Sequence, residues 1–225
     1  MSQLVLENVS YSYRNATAMA VKQASCSFEP GKLYAIMGPS GSGKSTLLSI
    51  LAGLDLPTDG DVSYGEIKLR DMDLDRYRRE DMSMVFQAYQ LFPLLTAIEN
   101  VCYPMELSGM ETLDAKPKAA EFLLHVGITE EKHKRFPANL SGGEQQRVAI
   151  ARSLSSGARL ILADEPTGNL DVENGDAILA ILKSLAHDEG YCVIVVTHDL
   201  DIAEQADVMY RIRDGVLTLR SISSS

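Results

Sequence analysis

Apolar and polar residues follow two different spacings along the chain. Continuous apolar runs bounded by turn residues are typical of strands buried on both faces, whereas apolar residues three and four positions apart are typical of helices that cover a sheet. The strands predicted from the sequence are 4–13, 20–28, 33–37, 62–69, 82–86, 160–163, 192–196, 208–211 and 216–219, and the helices are 44–51, 115–126, 144–154 and 176–185. We expect the strand 4–13 to lie at a sheet edge, with 20–28 as its partner.

The alternation of strands and helices predicts an α/β fold with a mixed, largely parallel sheet and helices on its faces. The stretch from Thr96 to Ser155 departs from this alternation, because helical patterns dominate it, and it is interpreted as a helical insertion. The serine-rich segment 221–225 is predicted to be a frayed tail.

Composition narrows the possible functions. A chain of 225 residues with 45% apolar residues can build one α/β domain, or a core with one small subdomain. Its formal net charge of −10 argues against sequence-independent binding of nucleic acid, which needs many basic contacts to phosphates. Cys26, Cys102 and Cys192 have no spacing typical of zinc sites, so a reduced cytosolic setting is expected. No signal-peptide pattern and no apolar run near the roughly 20 residues of a membrane span are present, so any membrane role is predicted to be peripheral.

The segment from Gly38 to Ser45 reads GPSGSGKS and follows a predicted buried strand. This spacing matches the P-loop, in which glycines let backbone N–H groups face phosphates at the start of a helix. Lys44 is predicted to reach the β- and γ-phosphates, and the Ser45 hydroxyl to bind Mg²⁺. The alternative is a glycine turn beside an unrelated lysine. A P-loop alone leaves kinases, GTPases, helicases and transport ATPases open.

Two carboxylates, Asp164 and Glu165, end the apolar strand 160–163. Ligands of doubly wound sheets bind at the carboxyl ends of strands, so Asp164 is predicted to bind Mg²⁺ and Glu165 to orient or deprotonate the attacking water. The simpler alternative is an acidic strand end before a turn at Pro166.

The segment from Leu140 to Arg147 reads LSGGEQQR. Ser141 and Glu144 have the spacing of a capping box that begins a helix. The capping box does not explain Gly142 and Gly143. A serine and two bare amides at a helix N-terminus can bind an anion, and this second phosphate site would serve the nucleotide of another chain.

With these segments in this order, the sequence resembles the ABC (ATP-binding cassette) ATPases over essentially its whole length. The resemblance implies that Tyr13 stacks on adenine, that Gln87 contacts Mg²⁺ and senses a membrane partner, that Asp171 contacts the partner subunit, and that His198 contacts the γ-phosphate. The nucleotide-binding residues it implies are Tyr13, Gly38, Ser40, Gly41, Ser42, Gly43, Lys44, Ser45, Thr46 and Gln87, with Lys44, Glu165 and His198 as catalytic residues and Ser45, Gln87 and Asp164 as ligands of Mg²⁺.

The family further implies a RecA-like P-loop NTPase core (1–87 and 158–220) with an N-terminal antiparallel part, and a helical subdomain at 88–157. Two subunits would form a homodimer around two ATP molecules, in which Ser141, Gly142, Gly143 and Asp171 complete the partner's site. Transmembrane permease subunits would dock in a groove shaped by 88–108, with apolar candidates at Met84, Tyr89, Leu91 and Phe92. The chain would lie peripherally at the cytoplasmic face of the inner membrane.

Within the family, 162–171 and 96–101 are similar to the branch that contains lipoprotein-releasing, macrolide-exporting, peptide-resistance and cell-division ATPases. One departure is Ser83, which stands where a glycine is common. An ATPase that regulates a cell-wall hydrolase or a cell-division complex through a membrane partner remains an alternative. A DNA-repair ATPase would need a long insertion, for which 225 residues leave no room. A translation factor would need two cassettes, whereas this sequence has one P-loop. The transported substrate stays open.

Overall fold

Ten strands form one mixed sheet in the computed structural model, which describes residues 2–14 and 18–220. In chain order the strands are β1 (Leu4–Tyr11), β2 (Val21–Phe28), β3 (Lys32–Met37), β4 (Asp59–Tyr64), β5 (Ile67–Lys68), β6 (Met82–Phe86), β7 (Leu160–Asp164), β8 (Cys192–Thr197), β9 (Val208–Arg213) and β10 (Val216–Arg220). The α-helices of the same residues are α1 (Lys44–Leu51), α2 (Leu74–Arg76), α3 (Ala97–Leu107), α4 (Thr112–His125), α5 (Gly142–Ser155), α6 (Val172–His187) and α7 (Leu200–Ala203). Within these residues, no helix combines the length and the apolar character needed to cross a membrane.

The spatial order of the strands is β5-β4-β1-β2-β10-β9-β3-β8-β7-β6. The strands β9, β3, β8, β7 and β6 run parallel, so their carboxyl ends meet at one edge of the sheet. The strands β5, β4, β1 and β2 form an antiparallel part. A single parallel residue pair, Val216 with Lys22, joins β10 to β2. The predicted α/β fold with its mixed sheet is confirmed.

The central strands are buried on both faces. Along β3, Leu33 and Ala35 belong to one hydrophobic cluster, whereas Tyr34 and Ile36 belong to the other. This two-residue period is what a strand between two layers requires. Helix α1 and the antiparallel strands cover one face, and helices α3 to α6 cover the other. The helices of the insertion pack on one another, and their core is continuous with that second face.

Two predictions about strands are wrong. The strand predicted at 4–13 is not at an edge, because β1 lies between β2 and β4. The strand predicted at 62–69 is two strands, because Gly65 at φ 62° turns the chain into a hairpin that adds β5 outside β4. Pairing between distant segments decides which strand is outermost, and alternation within one segment cannot show it. The predicted tail at 221–225 lies outside the described residues.

Candidate active site

The loop between β3 and α1 forms a cradle at the carboxyl edge of the sheet. Gly43 is the N-cap of α1 and has φ 107°, a conformation that favours glycine. A Cβ atom at Gly43 would also collide with the carbonyl oxygen of Ala20. No side chain caps α1, so the N–H groups of its first turn are available to an anion.

Lys44 crosses this cradle. Its Nζ donates hydrogen bonds to the carbonyl oxygens of Gly38 (2.8 Å) and Pro39 (3.0 Å), so the ammonium group lies inside the loop. Two residues further on, the Thr46 hydroxyl lies 2.8 Å from the hydroxyl of Tyr13. Tyr13 itself packs edge-on against Tyr11 and is half exposed. The Tyr13 ring and the cradle at the start of α1 are therefore next to each other.

Glu165 follows β7 and is set by an unusual backbone conformation. Its φ is 47°, and its N–H donates to the carbonyl oxygen of Val196 on the neighbouring strand (2.9 Å). Its carboxylate Oε1 lies 2.9 Å from the Nδ1 atom of His198, and the Thr197 hydroxyl donates to Oε2 at 3.4 Å. The Glu165 side chain is 15% exposed, whereas that of His198 is 67% exposed. A left-handed non-glycine residue at a strand end is costly, and such conformations are often found at functional sites.

The surroundings of the neighbouring Asp164 disfavour the negative charge of its carboxylate. Burial raises the pKa of its carboxyl group, and the negative charge of Glu165 raises it further, while Lys44 opposes both effects. A divalent cation at this carboxylate would relieve the repulsion. The Ser45 hydroxyl and Gln87 lie on the same cavity, so the oxygen donors present are of the kind that Mg²⁺ prefers.

Gln87 follows β6 and is tied to the loop after β7. Its Nε2 donates to Asn169 Oδ1 (3.1 Å), and Asn169 Nδ2 donates back to the Gln87 carbonyl oxygen (3.0 Å). The side-chain oxygen of Gln87 is the acceptor left for a ligand. This pairing also places the loop that carries Asp171 beside the cavity.

Most of the residues described so far line one cavity of about 840 Å³, within the size range of small-molecule sites. It is lined by Tyr13, Ala20, Pro39, Ser40, Gly41, Gly43, Lys44, Ser45, Thr46, Gln87, Asp164, Glu165 and His198. Gly38 and Ser42 belong to the same loop but do not line the cavity, and Gly38 packs against Ile212. Ser141, Gly142, Gly143 and Asp171 do not line it either.

Ser141 begins α5 with the capping box that the sequence predicts. Glu144 N–H donates to the Ser141 hydroxyl (3.3 Å), and Ser141 N–H donates to Glu144 Oε2 (2.8 Å). Lys132 lies 2.7 Å from the other oxygen of Glu144, and the pKa of that carboxyl group is lowered because these contacts outweigh the effect of burial. The start of α5 is thus held in a defined geometry.

The two glycines behind this cap have a packing reason that the sequence did not reveal. A Cβ atom at Gly142 would lie 2.8 Å from the Tyr89 hydroxyl, and one at Gly143 would collide with the side-chain amide of Asn174. Asn174 in turn donates to Asp171, the N-cap of α6. Asn169, Asn174 and Thr197 are contact residues that the sequence analysis missed, and Tyr89, expected as a docking residue, instead contacts Gly142. Only Thr197, a hydroxyl at the end of an apolar strand beside His198, carried a local signal.

Comparison with known proteins gives the family. The family model described as ABC transporter matches residues 21–168. An uncharacterized ABC transporter ATP-binding protein, YclH of Bacillus subtilis (strain 168), is 40% identical over 220 residues, which are 98% of this chain and 97% of that protein. The chain belongs to the ABC transporter ATP-binding family. The resemblance found in the sequence is confirmed.

Two further relatives of this ABC ATP-binding protein are informative. The chain is similar to the macrolide export ATP-binding/permease protein MacB of Rhodopseudomonas palustris (strain BisB18), with 42% identity over 96% of this chain but only 33% of that protein. Its fold is similar to the ATP-binding cassette MJ0796, solved as a dimer in a post-hydrolysis state bound to ADP and Pi. That structure has a TM-score of 0.88 and 38% identity, and covers 99% of this chain and 100% of the solved one. MJ0796 comes from Methanocaldococcus jannaschii.

Proposed function

We propose that this chain is an ATP-hydrolysing subunit that forms a homodimer around two ATP molecules and drives a separate transmembrane permease. The observation that carries this function is that the Lys44 loop lines the same cavity as Glu165 and His198. A phosphate cradle and a general base on one cavity are the parts that phosphoryl transfer to water requires. The solved MJ0796 cassette, with ADP and Pi, supports the same reaction here.

Each group of residues around the cavity has its own role in this proposal. Tyr13 stacks on the base, and the N–H groups of 38–46 with the Lys44 ammonium hold the phosphates. Glu165 accepts a proton from the attacking water, and His198 fixes the Glu165 carboxylate through its Nδ1 contact. When both ring nitrogens of His198 carry a proton, its Nε2–H can also donate to an oxygen of the γ-phosphate. Ser45, Gln87 and Asp164 are the residues that would hold Mg²⁺, which when bound neutralises charge on the phosphates.

Ser141, Gly142, Gly143 and Asp171 complete the site of a second copy in this proposal. They are outside the cavity of their own chain, and the capping box orients the exposed Ser141 at the start of α5. Val172, next to Asp171, is 81% exposed, which suits a surface that a partner subunit covers. The dimeric structures of the MJ0796 cassette support this arrangement.

The permease would dock in a groove of about 580 Å³ between the sheet and the inserted helices. Met84 and Phe92, two of the four expected docking residues, line this groove together with Tyr103 and Leu107. Leu91 instead packs against the core, and Tyr89 faces Gly142. The MacB relative, whose name joins an ATP-binding part to a permease, supports a permease as the occupant.

The same proposal assigns the parts of the chain and its location. Residues 1–87 and 158–220 serve as the nucleotide-binding core and 88–157 as the helical subdomain that carries Ser141. The subunit works at the cytoplasmic face of the inner membrane, bound to its permease, in the branch that exports macrolides or releases lipoproteins. No contact with nucleic acid is part of this function.

Two substitutions test the function. Glu165→Gln should bind ATP and form dimers in light scattering with ATP and Mg²⁺, but lose turnover by about 10²–10⁴, the scale of a general base. Lys44→Ala should instead weaken ATP binding itself. Glu204→Gln, an exposed carboxylate outside the cavity, is the matched control and should keep wild-type turnover. Wild-type turnover in Glu165→Gln would contradict the assignment.

A further inference from the structure

Arg152 connects the end of α5 to the segment that follows Gln87. Its Nη1 donates to the carbonyl oxygen of Gln90 (2.8 Å), and its Nη2 donates to that of Tyr89 (3.3 Å). Its guanidinium carbon lies 5.6 Å from the centroid of the Phe92 ring, within cation–π distance. One side chain of α5 therefore contacts three of the four residues from Tyr89 to Phe92.

The segment that Arg152 contacts has a strained backbone. Tyr89 has φ 59° and Gln90 has φ 49°, a left-handed conformation that residues other than glycine rarely adopt. Such a pair persists only when surrounding contacts fix it. The fork of a guanidinium suits this task, because two of its nitrogens can bind two successive carbonyl groups at once.

The contacts of Arg152 with Tyr89, Gln90 and Phe92 are what balance its positive charge. Arg152 is half-buried, and burial lowers the pKa of its guanidinium group. Among residues 2–14 and 18–220, no carboxylate lies within ion-pair distance of it. A partly buried cation without an anion is costly, so the two carbonyl groups and the Phe92 ring are what compensate its charge.

Extended by Gln87 and Ala88 to residues 87–92, the segment contacts both the ATP cavity and the start of α5. Gln87 lines the ATP cavity and is bonded to Asn169, and the Tyr89 hydroxyl lies against Gly142 at the start of α5. Arg152, Gln90 and Phe92 also line the groove between the sheet and the inserted helices. A shift of the segment would therefore move Gln87 and disturb the contact with Gly142 together.

We propose that Arg152 is a positioning residue for ATP hydrolysis, which holds segment 87–92 so that Gln87 faces the cavity and Tyr89 packs against Gly142. This inference rests on the proposed ATPase function. It predicts an effect on turnover with little effect on ATP affinity, because Arg152 touches no part of the phosphate cradle at 38–46.

The test compares Arg152→Ala, Arg152→Lys and Arg159→Ala. Arg159 is the matched control, because its guanidinium also lies over an aromatic ring (Tyr191, 4.6 Å) and donates to a backbone carbonyl, away from the segment. We expect kcat to fall about 10- to 100-fold in Arg152→Ala, the effect of a small misplacement in a catalytic site. Arg152→Lys, which keeps the charge but not the fork, should recover part of it. ATP affinity, measured by calorimetry in a Glu165→Gln background, should stay within about twofold of wild type.

Hydrogen exchange gives a readout that does not depend on turnover. Amides of 87–95 should exchange about tenfold faster or more in Arg152→Ala, whereas amides of α1 should be unchanged. Unchanged kcat and exchange, an equal loss in Arg159→Ala, or a loss of ATP affinity as large as the loss of kcat would overturn the inference. A wild-type chain without turnover would instead contradict the proposed function, and the exchange rates of 87–95 would still decide the positioning role.

Discussion

The Oε1 atom of Glu165 lies 2.9 Å from the Nδ1 atom of His198, across the carboxyl ends of two neighbouring strands. If His198 acts mainly by holding this carboxylate, the two residues work as one unit. We predict that Glu165→Gln and His198→Ala each lower kcat by about 10²–10⁴, and that the double variant loses little more than the worse single variant. Steady-state kinetics of all four forms measures this. Losses that multiply would mean that the residues act independently.

Asp164 is predicted to lower the stability of the fold, although it is needed for turnover. Its pKa is raised by burial and by the charge of Glu165, so its ionised form destabilises the fold at neutral pH. Asp164→Asn removes that charge, and we expect the thermal midpoint to rise by about 2–4 °C, about 1 kcal/mol for a chain of this length. The increase should shrink as the pH falls toward 3.8, the unfolded pKa of the carboxyl group, and should vanish below about pH 3, where the wild-type carboxyl is protonated in both folded and unfolded states. Turnover with Mg²⁺ should be lost. A lower midpoint at pH 7 would contradict this reasoning.

Gly143 is predicted to be required by packing inside its own chain. A Cβ atom there would push the side chain of Asn174 away from Asp171, so Gly143→Ala should lower the free energy of unfolding by about 1–3 kcal/mol. Adding Asn174→Ala should recover part of that loss. Gly175→Ala is the control, because its Cβ would meet Thr167 at an ordinary 3.6 Å, and it should be neutral or stabilising by about 0.5–1 kcal/mol. Urea unfolding of the wild type and these three variants measures the changes.

Asp207 is predicted to stabilise the fold at neutral pH but not in acid. Asp207 accepts hydrogen bonds from the Leu33 N–H (2.7 Å) and from His187 Nε2 (2.9 Å). Burial raises the pKa of Asp207, but these contacts outweigh burial and hold the pKa below its ordinary value. A lowered carboxyl pKa stabilises the fold above the unfolded value of 3.8, and this stabilisation is lost as the pH falls through the folded pKa.

Asp207→Ala should therefore lower the free energy of unfolding by about 1–3 kcal/mol at pH 7. The difference from wild type should shrink as the pH falls below about 4. Denaturant unfolding from pH 7 to pH 3 measures it, with the exposed Glu121→Ala as control. A difference that stays constant over this range would show that the charge of Asp207 is not what stabilises the contact.

Local segments of the fold were predictable because their signals are local. The bounds of α1 and β6 match the sequence prediction, and β3, β7, β8, β9 and β10 differ from it by only one or two residues at their ends. The interior position of β1 and the hairpin at Gly65 were not predictable, because they depend on pairing with β4 and β5. Helix α3 was covered only by the general expectation of helices in 96–155.

In the candidate site, too, features with a local sequence signal were predictable, and those that depend on contacts between distant segments were not. Lys44 and Asp164 lie on one cavity because Lys44 comes after β3 and Asp164 ends β7, two parallel strands whose carboxyl ends are at the same edge of the sheet. The links of Gln87 to Asn169 and of Arg152 to the carbonyl of Gln90 join positions far apart in the chain, and no local pattern announces them. The contact between Gly142 and Tyr89 is of the same kind, so the packing role of that glycine appears only in three dimensions.

Strand β3 is synthesised early, but the strands on either side of it are synthesised late. Its two neighbours are β8 and β9, both from the last part of the chain, and Leu33 is fixed by Asp207, 174 positions away. A nascent chain that has been synthesised only as far as α6 has no partner for either side of β3. The cradle at 38–46 can therefore assemble only when translation is nearly complete, and ATP cannot stabilise a partly synthesised chain. Such long-range pairing also predicts slow folding, with the apolar β3 dependent on protection until its neighbours emerge.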